Sequence, residues 1–202
     1  MKIIAVGRNY ALHAKELNNH PPSQPILFLK PDTAVLKNNQ PFYHPIFSQN
    51  IQHEVEVVVK ICKEGKYIAE KFAHKYFDEI GLGIDFTARD LQTTLKEQGL
   101  PWEIAKAFDN SAPVSNFIPL VNIDLTNLNF KLIINGELKQ QGNTADMLFT
   151  IPQIITFASQ FFTLKKGDLI FTGTPAGVGK VNIGDNLIGF LNENKMLDFM
   201  IK

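Results

Sequence analysis

The sequence predicts a β-rich α+β fold built around one core. Short runs rich in Val, Ile and Phe recur between Gly, Pro and Asn, helical patterns are fewer, and the two kinds of element do not alternate regularly. Regular alternation is typical of doubly wound sheets and (β/α)₈ barrels, so those folds are disfavoured. At 202 residues, with no internal repeat or long linker, the chain fits a single domain over residues 1–202.

Strand patterns extend along the whole chain. They cover residues 3–7, 26–29, 54–62, 80–86, 128–135, 168–173 and 186–191. Asn135-Gly136 lies between two apolar runs and predicts a hairpin with a type I′ turn, and Asn194-Lys195 predicts a second hairpin near the end of the chain. We therefore expect sheets to dominate the fold.

Helical patterns are found in four segments. They cover residues 10–17, 69–77, 88–98 and 151–162. The third has Thr87 as its expected N-cap, and Gly99 and Pro101 mark its end. The fourth has Thr150 as its expected N-cap and Pro152 in its first turn, where the missing N–H costs little.

Charge and composition exclude several classes of partner. Lys and Arg total 20 and Asp and Glu total 20, so the chain lacks the basic surplus that nucleic acid requires. No apolar run reaches the roughly 18 residues of a membrane helix, and the run before Arg8 is too short for a signal peptide. The single cysteine, Cys62, has no partner for an internal disulfide. We expect a cytoplasmic protein that binds neither nucleic acid nor membranes.

The segment HEVEVVV carries a pair of carboxylates. Side chains alternate along a strand, so Glu54 and Glu56 share one face and Val55, Val57 and Val59 share the other. Two carboxylates about 4 Å apart repel by roughly 4 kcal/mol at an effective dielectric of 20. A buried pair therefore needs a shared proton or a cation, whereas an exposed pair would be only the solvated face of an amphipathic strand.

A third carboxylate, Asp85, favours the cation. It ends the apolar run GLGID directly before the expected helix cap, where site residues are common. His53 would point to the opposite face of its strand, so Glu54, Glu56 and Asp85 would provide oxygen ligands alone. Such a set favours Mg²⁺ or Mn²⁺ over Zn²⁺.

Several cationic and polar residues are candidates for contacts with a substrate. Arg89 and Gln92 are three residues apart on one helix face, although a solvated face explains Gln92 equally well. Lys106 and Lys30 lie in mostly apolar runs, where a lysine either extends its ammonium to the surface or, beside a metal, stabilises enolate charge.

His13 and Glu16 form a candidate catalytic pair on the first helix. At a spacing of three residues the carboxylate can orient the imidazole and raise its basicity, as general-base catalysis requires. Exposed His/Glu pairs on helices are also frequent without any function. The pair therefore has two interpretations.

The glycine-rich segment GTPAGVGK has features of a phosphate-binding loop but lacks the required pattern. Five residues separate Gly173 from Gly179, Val181 replaces the required Ser or Thr, and no helical pattern follows. A tight turn that presents backbone N–H groups and the Thr174 hydroxyl to an anionic ligand fits better. A purely structural turn is the alternative.

Taken together, these segments resemble the fumarylacetoacetate hydrolase family. The motifs GRNYALHAKEL, LFLKP, HEVEVVV, GIDFTARDLQTTLKEQGLPWEIAKAFD and FTGTPAGVG follow in the family's order over essentially the whole chain. The separate N-terminal domain of fumarylacetoacetase is missing. The sequence thus resembles the small single-domain branch of acylpyruvases and oxaloacetate decarboxylases.

The resemblance implies a mixed β-sandwich roll, a bound Mg²⁺ or Mn²⁺ and a homodimer. It implies metal ligands at Glu54, Glu56 and Asp85, and catalytic roles for Lys106 and for His13 with Glu16 on a mobile lid. The implied substrate contacts are Arg8, Lys30, Arg89, Gln92 and Thr174. The insert at residues 18–24 would set the length of the lid.

The implied activity is metal-dependent cleavage of a C–C bond in a small 2-oxo acid. A metal-stabilised pyruvate enolate would serve both acylpyruvate hydrolysis and oxaloacetate decarboxylation. One alternative is an isomerase or hydratase of 2-oxo-dienoate intermediates in aromatic catabolism. Another is a non-catalytic metal-binding module, which the intact set of acids, Lys106 and the His13/Glu16 pair disfavours.

Overall fold

Strands form most of the regular structure in the computed structural model, which describes residues 1–17 and 20–202. The strands are β1 (Ile3–Gly7), β2 (Ile26–Lys30), β3 (Val35–Leu36), β4 (Ile51–His53), β5 (Val55–Ile61), β6 (Phe77–Ile84), β7 (Thr87–Ala88), β8 (Ala112–Pro113), β9 (Ile118–Pro119), β10 (Asn129–Ile134), β11 (Glu137–Asn143), β12 (Leu169–Phe171), β13 (Gly179–Lys180), β14 (Asn186–Leu191) and β15 (Asn194–Met200). The helices are α1 (Ala11–Glu16), α2 (Glu70–Ala73), α3 (Arg89–Glu97), α4 (Glu103–Lys106) and α5 (Ile151–Phe161). Within the described ranges, no helix is long and apolar enough to cross a membrane.

Two large sheets dominate the architecture. A mixed six-stranded sheet has the order β2-β1-β12-β5-β6-β9, with β1 and β12 parallel and the other pairs antiparallel. A four-stranded antiparallel sheet has the order β11-β10-β14-β15. Two smaller sheets, β13-β4-β7 and β3-β8, complete the β structure of the described residues. The predicted β-rich fold with mixed sheets is confirmed.

The six-stranded sheet is buried on both faces. Val55, Val57 and Val59 belong to the main apolar core, together with residues of the four-stranded sheet such as Phe130 and Leu197. On the opposite face, alternate residues of the same strands form a smaller apolar cluster: Ile3, Ala5, Val58, Leu169 and Phe171. The expected separation of valines from carboxylates along β5 is therefore confirmed.

Turn and cap chemistry explains several of the element boundaries. Asn135 and Gly136 have φ values of 53° and 83° between β10 and β11, as the type I′ hairpin requires. Thr150 caps α5 through a capping box with Gln153, and Pro152 lies in the first turn of that helix. These sequence predictions are confirmed.

Two elements differ from the sequence prediction. The helix expected over residues 69–77 is only the single turn α2, because Phe77 pairs with Ile61 as the first residue of β6. The last hairpin turns at Asn192 and Glu193 rather than at Asn194-Lys195, because Asn192 adopts the positive φ, 50°, that a two-residue turn requires and Leu191 pairs with Asn194.

Thr87 does not cap α3 as predicted. It lies in the short strand β7, and its hydroxyl donates to the backbone oxygen of Asp85, so Ala88 takes the cap position without a side-chain hydrogen bond. Gly99, with φ of +65°, follows the end of α3 as expected. The hydroxyl that the pattern assigns to a helix cap thus serves the neighbouring acidic cluster instead.

Candidate metal and substrate site

Three buried carboxylates converge where β5 and β6 pair. Glu54 lies in the single-residue break between β4 and β5, Glu56 lies within β5, and Asp85 directly follows β6. The backbone N–H of Asp85 donates to the backbone carbonyl oxygen of Glu54 at 2.8 Å. This bond continues the antiparallel ladder and aligns the two residues. One oxygen from each carboxylate lies within 4.8 Å of the others. The cluster therefore arises from strand register.

Lys106 joins two of these carboxylates. Its Nζ lies 2.8 Å from Glu54 Oε2 and 2.6 Å from Asp85 Oδ2, and it donates to the Thr87 hydroxyl at 2.6 Å. The side chain is buried at the end of α4, although the sequence left open whether it reaches solvent. Burial acts to lower the pKa of Lys106, but the charges of Asp85 and Glu54 outweigh it and raise the pKa, so the side chain stays charged.

Lys30 forms an ion pair with the other carboxylate oxygen of Asp85. Its Nζ is 2.7 Å from Asp85 Oδ1 and donates to both the hydroxyl and the backbone oxygen of Ser111 at 3.0 Å. The side chain is fully buried at the end of β2 and does not line the cavity beside the cluster. Its contacts are with Asp85 and the protein interior, rather than with the space that a substrate would occupy.

Arg89 links Glu54 to the first turn of α3. It forms an ion pair with Glu54 Oε1, donates through Nε to Gln52 at 2.7 Å and donates through Nη1 to Gln92 at 2.6 Å. The predicted pair of Arg89 and Gln92 on one helix face is therefore present, with Gln92 held by the guanidinium. Two cations, Lys106 and Arg89, thus contact the Glu54 carboxylate.

The electrostatics of the cluster are uneven. Burial acts to raise the pKa of Glu54, but Lys106 and Arg89 outweigh it and hold the pKa well below its usual range. Burial and the charges of Asp85 and Glu54 raise the pKa of Glu56, whose Oε2 accepts a hydrogen bond from the Gly173 N–H at 2.7 Å. The Glu56 carboxylate is therefore costly to ionise without a further positive charge nearby.

The donor set fits a hard divalent cation. Asp85 Oδ1 is buried and receives no well-directed hydrogen bond, despite its ion pair with Lys30. The three residues offer oxygen atoms only, and His53 turns away to bond Gln140 at 2.8 Å through Nδ1. Glu54, Glu56 and Asp85 are thus the residues that could hold Mg²⁺ or Mn²⁺.

His13 and Glu16 occupy α1, which covers the same cavity. The Nδ1 of His13 lies 3.2 Å from Glu16 Oε2, and the imidazole is buried. The other oxygen of Glu16 accepts the Gly177 N–H at 3.0 Å, which connects α1 to the glycine-rich turn. Of the insert predicted at residues 18–24, residues 18 and 19 lie outside the described residues.

The glycine-rich turn supports the site through its backbone. Gly173, with φ of +101°, donates its N–H to Glu56, and a Cβ there would lie 2.6 Å from that of Asn9. Thr174 donates to the oxygen of Val55 and accepts from Gln140, both at 2.8 Å. The N–H groups expected to bind an external anion are therefore directed, at Gly173 and Gly177, to carboxylates of the chain itself.

A small cavity of about 30 Å³ lies among these side chains. Predicted site residues on its wall are Arg8, His13, Glu54, Asp85, Arg89, Gln92 and Lys106. The wall also includes Phe28, Lys96 and Trp102, which the sequence analysis did not single out. A space of this size holds about one water molecule.

Gln140 is a further residue that the sequence analysis missed. Its buried amide accepts from His53 and from the Val55 N–H, and it donates to Thr174 and to the oxygen of Pro175. It thereby connects β11 of the four-stranded sheet to both the β5 strand and the glycine-rich turn. A glutamine in the polar run ELKQQ has no sequence signal that would distinguish it from its neighbour Gln141.

Comparison with known proteins identifies the family. The sequence pattern of the fumarylacetoacetate (FAA) hydrolase C-terminal domain matches residues 2–199. The protein therefore belongs to the fumarylacetoacetate hydrolase family, and the resemblance drawn from the sequence motifs is confirmed.

Named relatives indicate the kind of chemistry found in this family. The bovine mitochondrial oxaloacetate tautomerase FAHD1 is 45% identical over 186 residues, which cover 92% of this chain and 84% of the relative. The mitochondrial oxaloacetate decarboxylase of Dictyostelium discoideum is 46% identical over 185 residues, covering 91% and 85%. The crystal structure of fumarylpyruvate hydrolase from Pseudomonas aeruginosa, in complex with Mn²⁺ and pyruvate, has a TM-score of 0.94 and 34% identity, covering 100% of this chain and 89% of that one. All three relatives are named as enzymes of 2-oxo acids.

Proposed function

We propose that this protein is a divalent-metal-dependent enzyme of small 2-oxo acids, and that oxaloacetate is its foremost substrate. The observation that carries the proposal is that three buried carboxylates cluster beside one cavity, which Glu54, Asp85, Lys106 and His13 line. Glu16 lies behind His13 and is bonded to its imidazole. Such a site combines charge stabilisation with a proton carrier, which is what interconversion through an enolate needs. The names of two relatives support oxaloacetate in particular.

The acidic cluster would hold Mg²⁺ or Mn²⁺ through Glu54, Glu56 and Asp85. When bound, the ion acts as a Lewis acid on the 2-oxo carboxylate group and stabilises its enolate form. Lys106 adds a permanent positive charge at the same place, because Glu54 and Asp85 hold its ammonium. Lys30 forms an ion pair with Asp85 and Arg89 forms one with Glu54, and these contacts fix the two carboxylates.

His13 is the proposed proton carrier. Its Nδ1 is bonded to Glu16, which leaves Nε2 for the substrate and stabilises the imidazolium that forms. In oxaloacetate tautomerisation the proton moves between the enol oxygen and C3, so the reaction needs one group that can hold a proton briefly. This reaction is an isomerisation. The sequence raised an isomerase only for 2-oxo-dienoate intermediates, and the name of the bovine relative supports tautomerisation of oxaloacetate instead.

Cleavage of a C–C bond is the second candidate. The comparison with fumarylpyruvate hydrolase favours it, as does a cavity with room for about one water beside His13. If His13 takes a proton from that water, the resulting hydroxide attacks the distal carbonyl of an acylpyruvate and releases a carboxylic acid and the pyruvate enolate. Decarboxylation of oxaloacetate would release the same enolate with CO₂ and needs no attacking water.

The deciding experiment follows both reactions in one preparation. Purified protein loaded with Mn²⁺ is mixed with oxaloacetate in its enol form, and the loss of enol absorbance is measured beside pyruvate release from oxaloacetate and from acetylpyruvate. We expect enol loss to be the fastest of the three processes.

Chelator-treated protein and the variant Asp109→Asn, which removes an exposed carboxylate outside the site, are the controls. The chelator should abolish all three reactions and Asp109→Asn should change none. Pyruvate release faster than enol loss would make C–C cleavage the principal reaction, and full activity after chelation would refute the metal-dependent proposal.

We further propose that the protein is a homodimer. An apolar groove of about 670 Å³ lies beside the site, lined by residues that include Phe47, Leu91, Ile104 and Phe108. Ile104 is 62% exposed and Phe47 49% exposed, which is costly in water. Sedimentation should give twice the chain mass of 22.7 kDa, and a monomer at micromolar concentration would contradict the proposal.

A further inference from the structure

Two cations on the cavity wall differ from the others in having no counter-charge. Arg8 and Lys96 line the cavity with His13 and Glu54, yet within residues 1–17 and 20–202 neither side chain forms a hydrogen bond or an ion pair. The three cations of the acidic cluster are each bound to a carboxylate: Lys30, Arg89 and Lys106. Arg8 and Lys96 therefore add uncompensated positive charge to the site.

The surroundings of Lys96 keep its ammonium at the cavity without neutralising it. The Nζ lies 5.7 Å from the centre of the Trp102 ring, a contact that attracts a cation but supplies no negative charge. Partial burial lowers the pKa of Lys96, and repulsion from Arg8 and Arg89 lowers it further. An anion between these side chains would relieve both costs.

The position of Arg8 is also specified by the fold. It links β1 to the residues before α1 and adopts a left-handed backbone conformation, with φ of 60°. Side chains other than Gly, Asn and Asp rarely adopt this conformation unless the surrounding structure requires it. Arg8 thus lines the cavity from the segment between β1 and α1, whereas Lys96 lines it from the last turn of α3.

The charges of the whole site indicate the charge of its ligand. The carboxylates of Glu54, Glu56, Asp85 and Glu16 offset the three bound cations and one further positive charge. A divalent ion together with Arg8 and Lys96 therefore still leaves a positive excess. A 2-oxo acid with one carboxylate compensates less of this excess than one with two. A planar guanidinium beside an ammonium is, moreover, a favourable environment for a carboxylate.

We propose that Arg8 and Lys96 form a subsite for the second carboxylate of a 2-oxo dicarboxylate. The subsite selects dianionic substrates over monoanionic analogues of the same size. This inference rests on the proposed function and narrows its substrate class. Oxaloacetate has the required second carboxylate, whereas acetylpyruvate has an acetyl group in its place.

The kinetic test compares these two substrates in variants that remove one charge each. In Lys96→Met and Arg8→Gln we expect the KM for oxaloacetate to rise about 10 to 100-fold, as loss of a charge-assisted hydrogen bond implies. The KM for acetylpyruvate should change less than about 3-fold, because acetylpyruvate lacks the second carboxylate that these side chains would bind. Lys96→Arg should restore most of the oxaloacetate affinity. Lys37→Met, which removes an exposed lysine from a different surface, is the control.

A binding test needs no turnover. Mn²⁺-loaded protein is titrated calorimetrically with 2-oxoglutarate and with 2-oxopentanoate, which have the same number of carbons but end in a carboxylate and a methyl group. Wild-type protein should bind the first at least about 10-fold more tightly, the lower end expected for a charge-assisted contact. Lys96→Met should remove this preference, whereas Lys37→Met should keep it.

The outcomes separate this inference from the function on which it rests. If oxaloacetate and acetylpyruvate are weakened alike in both variants, or neither is weakened, the subsite is refuted while the enzyme activity stands. If the wild type turns over neither substrate but keeps a Lys96-dependent preference for 2-oxoglutarate, the subsite stands and the proposed function fails. No preference in the wild type would overturn the subsite directly.

Discussion

The acidic cluster and helix α1 face the same cavity but are built in different ways. The cluster comes from paired strands, and its carboxylates are held by Lys30, Arg89, Lys106 and a backbone N–H. Helix α1 has six residues and no side-chain N-cap, and Leu12 on it is 73% exposed. Its connection to the glycine-rich turn is the Glu16 contact with Gly177.

The difference assigns separate properties to the two regions. Ion pairs among buried groups keep the cluster in one geometry, because breaking any of them leaves an uncompensated charge in the interior. A short helix with few restraints can open at a lower cost in free energy, and a substrate larger than one water needs such an opening. We therefore expect changes in the cluster to affect metal binding and stability, and changes in α1 to affect turnover alone.

The largest effect is expected for Asp85→Asn. The substitution removes one of three charged ligands and leaves Lys30 and Lys106 without their shared partner. Mn²⁺ affinity should fall at least about 100-fold, the upper end of the cost of losing a supporting contact at a metal site, and turnover should become undetectable. Unchanged Mn²⁺ binding, measured against Asp109→Asn, would refute the ligand assignment.

His13→Ala and Glu16→Ala should each lower tautomerisation and acylpyruvate hydrolysis about 10² to 10⁴-fold, the usual cost of losing a general base. The double variant should be little worse than the worse single one, since the two residues serve one step. Decarboxylation of oxaloacetate should suffer less because it needs no attacking water. Mn²⁺ affinity should stay at the wild-type value in all three variants.

Wild-type rates in both single variants would mean that His13 and Glu16 are an ordinary helix pair. Loss of Mn²⁺ binding in either variant would instead remove the proposed division between α1 and the acidic cluster.

Lys106→Met tests the cluster as a set of balanced charges. It should lower the free energy of unfolding by about 3–5 kcal/mol in chelator-treated protein, because Glu54 and Asp85 lose their common cation. Saturating Mn²⁺ should recover part of this loss by supplying positive charge and by binding only the folded state. Urea titrations with and without the ion measure both quantities.

The control for this experiment is Lys139→Met, which removes an exposed ion pair with Glu137 and should change little. A loss of equal size in the presence and absence of Mn²⁺ would show that Lys106 does not compensate the same charges as the ion.

The smallest effect is expected for Gln140→Leu. The buried amide connects the four-stranded sheet to the residues around the cluster. Its loss leaves His53 Nδ1 without a partner and removes one of the two hydrogen bonds of the Thr174 hydroxyl. Unfolding free energy should fall by about 1–3 kcal/mol, and Mn²⁺ affinity by about 10-fold, as for other supporting residues around metals. Gln141→Leu, which changes the exposed neighbour, should alter neither the unfolding free energy nor the Mn²⁺ affinity. Equal metal affinity in both variants would contradict the proposed support.

Much of the candidate site could be predicted from the sequence because short-range spacing along strands and helices places many of its residues together. Alternation along β5 separates Glu56 from the core valines, and a helix spacing of three brings Arg89 to Gln92 and His13 to Glu16. The motifs also carried the family resemblance, which the match over residues 2–199 confirms. Periodicity was less reliable for short elements such as α2, whose length it overestimated. The choice of turn residues was wrong at the last hairpin, where the turn lies at Asn192.

Contacts between distant segments were decided by the tertiary structure alone. Thr87 is a good helix cap by pattern, yet its hydroxyl bonds Asp85 and Lys106. Gln140 lies in a polar run, yet it is buried at the junction of two sheets.

By itself, then, the sequence determined the β-rich class, the family and the set of candidate site residues. Tertiary structure decided which lysines are bound to carboxylates and which cations stay free at the cavity, as Lys30 and Lys96 illustrate. The physical reason is that desolvation and Coulomb energy depend on distances between groups far apart in the chain, which no local pattern encodes.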